Sequence, residues 1–249
     1  MGQVEDDRAG SQRRVWDAKP TLRNIYADYH RRLEQACPPG RLLDIGGGSA
    51  HFKDYRPDVV SLDILPFTGI DVVADAHVMP FASGTFNGIV MLDVLHHLQR
   101  PVTFLREAAR VLQFGGRIAM VEPGMSTVSK VFYDRFHHEP VEMMADPFSE
   151  AVAQSGVDPW DSNQAIPTLM FGRAQGRERL TRVLPNLRLV SASWLSLFAY
   201  PLSGGFKRWC LVPHALTKPL IAVERILLPL VGSALAFRLF VVLERVPDE

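Results

Sequence analysis

The chain has almost no cysteine, no long apolar run and no net charge, and each absence removes a class of protein. Its only thiols, Cys37 and Cys210, are too far apart to form a metal-ligand pattern or a disulfide framework, which points to a reducing, cytoplasmic setting. The longest uncharged stretch near the C-terminus, Ile226 to Phe237, holds 12 residues between Arg225 and Arg238. A bilayer span needs roughly 18 to 20, so no transmembrane helix is expected. Lysine and arginine number 27, and so do aspartate and glutamate. The broad basic face that a phosphate backbone requires is therefore missing, and no nucleic acid partner is expected. The opening MGQVEDDRAGSQRR lacks the apolar core of a secretory signal, and residues 1–18 read as a disordered tail.

What the chain does contain is an alternation. Apolar residues make up 47% of its 249 positions, enough to core a single domain over 19–249. Leu22, Ile25, Tyr26, Tyr29 and Leu33 stand at helical spacing before CPPG ends the pattern. Short apolar runs follow at 41–45, 59–64, 71–76, 86–94 and 116–123, the texture of parallel strands buried on both faces. Between the last two, Phe104, Leu105, Ala108, Val111 and Leu112 make one helical face, with Gly115 placed to end it. Strand and helix in alternation give an α/β fold with a doubly wound, Rossmann-like sheet. Beyond residue 123 lies a mainly helical region, 124–185, then strand-like runs at 187–200 and 236–246. The segment 200–235 between those runs reads as an apolar helical insert, broken by Pro213, Pro219 and Pro229.

The first strand ends in LLDIGGGSAHF, a glycine turn open to three ligands. A dinucleotide turn needs a third glycine where His51 stands, and a phosphate loop needs a lysine followed by Ser or Thr that is absent. Small residues at Gly46, Gly47 and Gly48 let a ligand approach the main chain, and Asp44 can accept hydrogen bonds from an ammonium. Asp63, with Ile64 beside it, ends the second strand, where an acid can take both ribose hydroxyls. NAD enzymes share that last feature.

At these residues the sequence resembles the class I S-adenosylmethionine-dependent methyltransferases, in particular the small-molecule branch described as type 11 or ubiquinone-biosynthesis-like. The family's acid-x-G-x-G-x-G turn is matched by Asp44, Gly46 and Gly48, with Ala50 replacing the last glycine. MPFASGTFN follows the family's LPF-x-x-x-x-F-D with Asn87 in place of aspartate, and VLQFGGRI follows its L-x-P-G-G turn with Phe114 in place of proline. The ordered match covers roughly residues 40–123. It implies a seven-stranded, mostly parallel sheet with an antiparallel last strand, and S-adenosyl-L-methionine as cofactor. By the same resemblance 19–123 is the cofactor-binding core, Asp75 and Ala76 contact the adenine, and Leu92 and Asp93 lie beside the methionine end. Asp63, Asp75 and Asp93 also suit turn or helix caps.

An activated methyl donor leaves the enzyme mainly the task of alignment, so catalytic groups can be few. His96 and His97 follow the fourth strand, where open α/β sheets place their sites, and either suits a general base. His137, with His138 and Glu139, follows the fifth strand; adjacent histidines on a helix point about 100° apart and do not readily share a metal. No metal is expected. Tyr26 and Tyr29 either close over the cofactor or pack in the core. The insert at 200–235 completes the core, roofs an apolar pocket, or lies on a membrane through Lys207, Arg208, Lys218 and Arg225. The expected activity is methyl transfer to an oxygen or carbon of a small, apolar or lipid-linked molecule. A nicotinamide-dependent oxidoreductase and a non-catalytic scaffold binding a membrane or partner are the alternatives.

Overall fold

The computed structural model describes residues 2–48, 51–136, 139–149 and 162–247. Among them, helix α1 (Gly2–Ala18) leads into α2 (Pro20–Ala36), whose fixed-φ proline stands at the first helical position. Strands β1 (Leu42–Ile45), β2 (Val60–Asp63), β3 (Val72–Val73), β4 (Phe86–Leu92) and β5 (Leu112–Pro123) follow, with α3 (His51–Tyr55) after β1 and α4 (Pro101–Val111) after β4. Next come α5 (Thr127–Phe136), a π-helical turn at Thr168–Gly172 and α6 (Ala174–Val183). The chain closes with β6 (Leu187–Leu195), α7 (Ala199–Ser203), α8 (His214–Leu235) and β7 (Arg238–Arg245).

The strands form one seven-stranded sheet in the order β3-β2-β1-β4-β5-β7-β6. The first five are parallel, and β7 runs antiparallel between β5 and β6. The apolar runs alternate between two cores, as the period of two along a strand requires. Leu43, Ile45, Ile89, Met91, Ile118 and Met120 join Phe104, Leu105 and Ala108 of α4 in one cluster, while Leu42, Val90, Ala119 and Val121 join Leu22, Ile25, Tyr29 and Leu33 of α2 in the other. This two-sided burial is why the parallel strands read as continuous apolar runs.

The structure departs from the sequence reading in four places. The expected disordered tail is helix α1, anchored by Trp16, which is buried against Tyr26 and stacked on His51 with ring centroids 4.1 Å apart. One buried aromatic in a polar segment gives no periodicity to detect. Leu112 is the first residue of β5, not the last turn of α4; residues 113–116 bulge out between the pairs Phe86–Leu112 and Gly88–Arg117, with Gly115 at φ +76°. The strand read over 187–200 stops at Leu195, because Ser196 takes φ +58° and turns the chain toward α7. Finally, Pro219 and Pro229 do not break α8. Each removes one hydrogen bond of the ladder, but the helix is held by packing on α2, α5 and β6, so tertiary contact overrides local preference. Among the described residues no helix is long and apolar enough to cross a membrane.

Candidate active site

At the end of β1 the chain must leave the sheet at once. Gly46 and Gly48 do so at φ +69° and +48°, a region in which a β-carbon is strained. A β-carbon on Gly46 would lie 2.4 Å from Val94 Cγ2, whereas on Gly48 the nearest atom among the described residues is the Gly46 carbonyl oxygen at 3.7 Å. Packing against Val94 demands the first glycine, and backbone conformation favours the second. The Gly48 N–H donates to Asp63 Oδ2 at 2.9 Å and the Leu65 N–H to Asp63 Oδ1 at 2.9 Å, which locks the turn to the tip of β2. Burial, reinforced by the neighbouring Asp63 charge, pushes the Asp44 carboxyl up to about 8. Burial raises Asp63 as well.

This turn floors a cavity of about 650 Å³, well within the range for small-molecule sites. All ten cofactor positions inferred from the sequence line it: Asp44, Gly46, Gly47, Gly48, Asp63, Ile64, Asp75, Ala76, Leu92 and Asp93. Ile64 is exposed at the rim and Ala76 is buried. Asp75 accepts the His77 backbone N–H at 2.8 Å and faces its ring at 2.6 Å; although burial opposes ionisation, these bonds hold its carboxyl below the usual range. Two buried carboxyl groups beside a bare glycine turn suit a ligand that brings a positive charge and hydroxyl donors. S-adenosylmethionine, with its ammonium, sulfonium and ribose, meets that description.

His96 and His97 line the same cavity. They form a short 3₁₀ turn at Leu95–His97 after β4, their rings 4.2 Å apart. His96 is buried, with Nδ1 2.7 Å from Glu122 Oε2, while Glu122 Oε1 accepts the N–H groups of Val94 at 2.9 Å and Leu95 at 2.8 Å. Burial alone would lower the imidazole, but the Glu122 hydrogen bond and charge outweigh it and raise the His96 pKa. Its Nε2 lies 3.8 Å from Glu139. His137 lies outside the described residues.

The sequence reading missed three groups that complete this end. Glu122 orients His96. Arg238 is buried, pairs with Asp93 and lies 4.0 Å over the Tyr200 ring. Gln164, also buried, donates to Glu139. A signal existed for two of them: Glu122 and Arg238 are each flanked by apolar residues within a strand, where an unpaired charge would be costly. Asp93, which pairs with Arg238, holds φ +60°, in the left-handed region that aspartate enters more readily than most residues. The nearest ligand atoms of His96, His97 and Glu139 lie within 4.8 Å of one another, so these three are the residues able to hold a metal ion among those described.

The strand order, the antiparallel β7 and the acid-flanked glycine turn define a class I methyltransferase fold of the S-adenosylmethionine-dependent, Rossmann-like type. The order differs from the classic dinucleotide order, which ends in parallel strands five and six. Residues 43–120 match the family model described as a methyltransferase domain. One curated relative, an uncharacterized 37.1 kDa protein in transposon TN4556 of Streptomyces fradiae, is 26% identical over 175 residues, 65% of this chain. The chain spans about half the length of that relative, 49%. A structure described as a complex between the Haloferax volcanii Trm112 methyltransferase activator and the "putative methyltransferase" is similar in fold at TM-score 0.54 and 15% identity, covering 100% of this chain and 99% of that one. An S-adenosylmethionine-dependent methyltransferase from Archaeoglobus fulgidus superposes at 0.52 and 14%, covering 90% and 94%. Geranyl diphosphate C-methyltransferase from Streptomyces coelicolor does so at 0.51 and 12%, covering 90% and 80%.

Proposed function

We propose that the chain transfers the methyl group of S-adenosylmethionine to an oxygen or carbon of a small apolar or lipid-linked molecule, with His96 as the proton acceptor. The observation that carries this reading is the buried His96–Glu122 pair in the wall of the cavity. When bound, the cofactor would supply an activated methyl group with its sulfonium sulfur as the leaving group, so the chain's own residues have to align the acceptor and take up its proton. Asp44 and the Gly46–Gly48 turn hold the amino-acid end, Asp63 the ribose, and Asp75 with Ala76 the adenine. His96 Nε2 takes the proton of the acceptor, and Glu122 stabilises the resulting imidazolium. A positioned base contributes about 10² to 10⁴ in rate, while alignment of acceptor and donor contributes up to roughly 7 to 11 kcal/mol.

The apolar character of the acceptor is supported by the aromatic side chains of Phe132, Tyr133, Tyr200, Phe206 and Phe237, which line the cavity. The test is incubation with methyl-labelled cofactor and fractionated cell extract. Label recovered in the organic phase, and lost with His96→Ala, supports the reading; label confined to the aqueous phase overturns the apolar acceptor. Thermal stabilisation by NAD(H) but not by S-adenosylhomocysteine would overturn methyl transfer itself.

A further inference from the structure

Helix α8 has two apolar faces, and only one is used. Thr217, Ile221, Glu224 and Gly232 are buried against the body of the protein. On the opposite side, Leu216, Pro219, Val223, Ile226 and Leu230 fall within an arc of about 80° at 100° per residue. Ile226 is 74% exposed and Leu230 80%, values at odds with a face meant for water alone. The loop that feeds the helix extends the patch, with Leu211 70% and Trp209 44% exposed. It is pinned from below: Lys19 Nζ donates to the carbonyl oxygens of Gly205 and Lys207, each at 2.7 Å, and the Thr21 hydroxyl donates to that of Val212 at 3.2 Å.

Along the segment that carries the patch, the exposed charge has one sign. Between Arg179 and Leu243 the only acid is Glu224, whose side chain is buried and accepts the Ala199 N–H at 2.6 Å. Lys207, Arg208 and Lys218 are exposed beside the patch. Arg225 is engaged with Asp28 and is not counted. The chain as a whole is neutral, so this third carries positive charge that the rest balances. Two copies packed through this face would bring like charges together, whereas an anionic lipid surface satisfies the bases and the apolar side chains at once.

We propose that the outer face of α8 and the loop before it form a docking surface for a membrane rich in anionic headgroups. The helix lies in the interfacial plane with its apolar arc among the upper acyl chains, and Trp209 sits at headgroup depth, where aromatic rings of mixed character settle. The exposed residues Lys207 and Trp209 also line the cavity, so the docked face adjoins an opening through which an acceptor passes from the bilayer. That last step rests on the apolar acceptor proposed above; the docking does not.

Vesicle sedimentation with the full chain tests the docking, using phosphatidylcholine alone and phosphatidylcholine with phosphatidylglycerol. Binding to the anionic vesicles, weakened by salt, is expected. Each base near such a surface contributes about 5-fold in affinity, so Arg208→Glu with Lys218→Glu should weaken binding at least about 25-fold. Ile226→Ser with Leu230→Ser should abolish it while leaving stabilisation by S-adenosylhomocysteine unchanged, which shows that the variant is folded. Absence of binding to either vesicle, or binding unchanged in both variants, overturns the proposal. So does a wild-type dimer that Ile226→Ser converts to monomer, since a second copy would then cover the face.

Discussion

His96 Nδ1 and Glu122 Oε2 lie 2.7 Å apart at the ends of adjacent parallel strands, both side chains buried. The second Glu122 oxygen is occupied by two backbone N–H groups, so the carboxylate is fixed and in turn fixes which imidazole nitrogen faces the cavity. Because Glu122 raises the His96 pKa, the neutral base is present only at pH above that raised value. In Glu122→Gln the acid limb of the kcat profile should move to lower pH while kcat at its plateau falls. His96→Ala should cost about 10² to 10⁴ in kcat, with the affinity for S-adenosylhomocysteine little changed. An unshifted acid limb in Glu122→Gln would remove Glu122 from the proton path.

Asp44 makes a second pH dependence in the same cavity. Its carboxyl is pushed up to about 8, so the folded protein holds a proton between pH 4 and 8 that the unfolded chain releases. Stability without cofactor therefore falls as pH rises through this range, by at most about 1.4 kcal/mol per pH unit from this group. A cofactor ammonium needs the ionised carboxylate, so binding below pH 8 should release a proton and tighten as pH rises. Calorimetry in two buffers of different ionisation enthalpy measures that release. Asp44→Asn should bind the cofactor more weakly, show no such release, and melt higher than the parent at pH 8 when both are free of ligand.

The glycine turn tolerates little. Gly46→Ala places a β-carbon 2.4 Å from Val94 and strains φ; a loss of about 1 to 3 kcal/mol in denaturant unfolding is expected. Adding Val94→Ala should recover the clash but not the strain. If Gly46→Ala unfolds like the parent, the turn is softer than its geometry implies.

Arg238 and Asp93 join the last strand to the end of β4. Arg238→Leu leaves Asp93 without its cation and should destabilise by about 3 kcal/mol, the lower end for a broken buried pair because Asp93 is partly exposed. Urea titration reads this directly. Asp93→Asn in the same background should restore part of the loss.

The sequence revealed what periodicity can reveal. Runs such as RLLDI and FNGIVMLDV announced parallel strands because both faces of β1 and β4 are buried, and the glycine turn with Asp44, Asp63 and Asp75 announced the cavity floor. What it hid depends on contacts distant in the chain. Glu122 gains its meaning from His96, 26 positions earlier, and Arg238 from Asp93, 145 positions earlier. Helix α1 is anchored by the buried Trp16, and α8 continues through two prolines because its neighbours hold it. Local rules contain none of that information.

Trp16 and Phe206 sandwich His51, with centroid distances of 4.1 and 5.5 Å, and His51 opens the helix that follows the glycine turn. The opening helix and the loop before α8 thus meet over the cofactor turn, like two fingers on one latch. The lifetime of the bound cofactor, rather than its affinity alone, should depend on this stack. Trp16→Ala should speed the release of S-adenosylhomocysteine, read by stopped-flow displacement, while leaving the sheet and its melting cooperativity as they are.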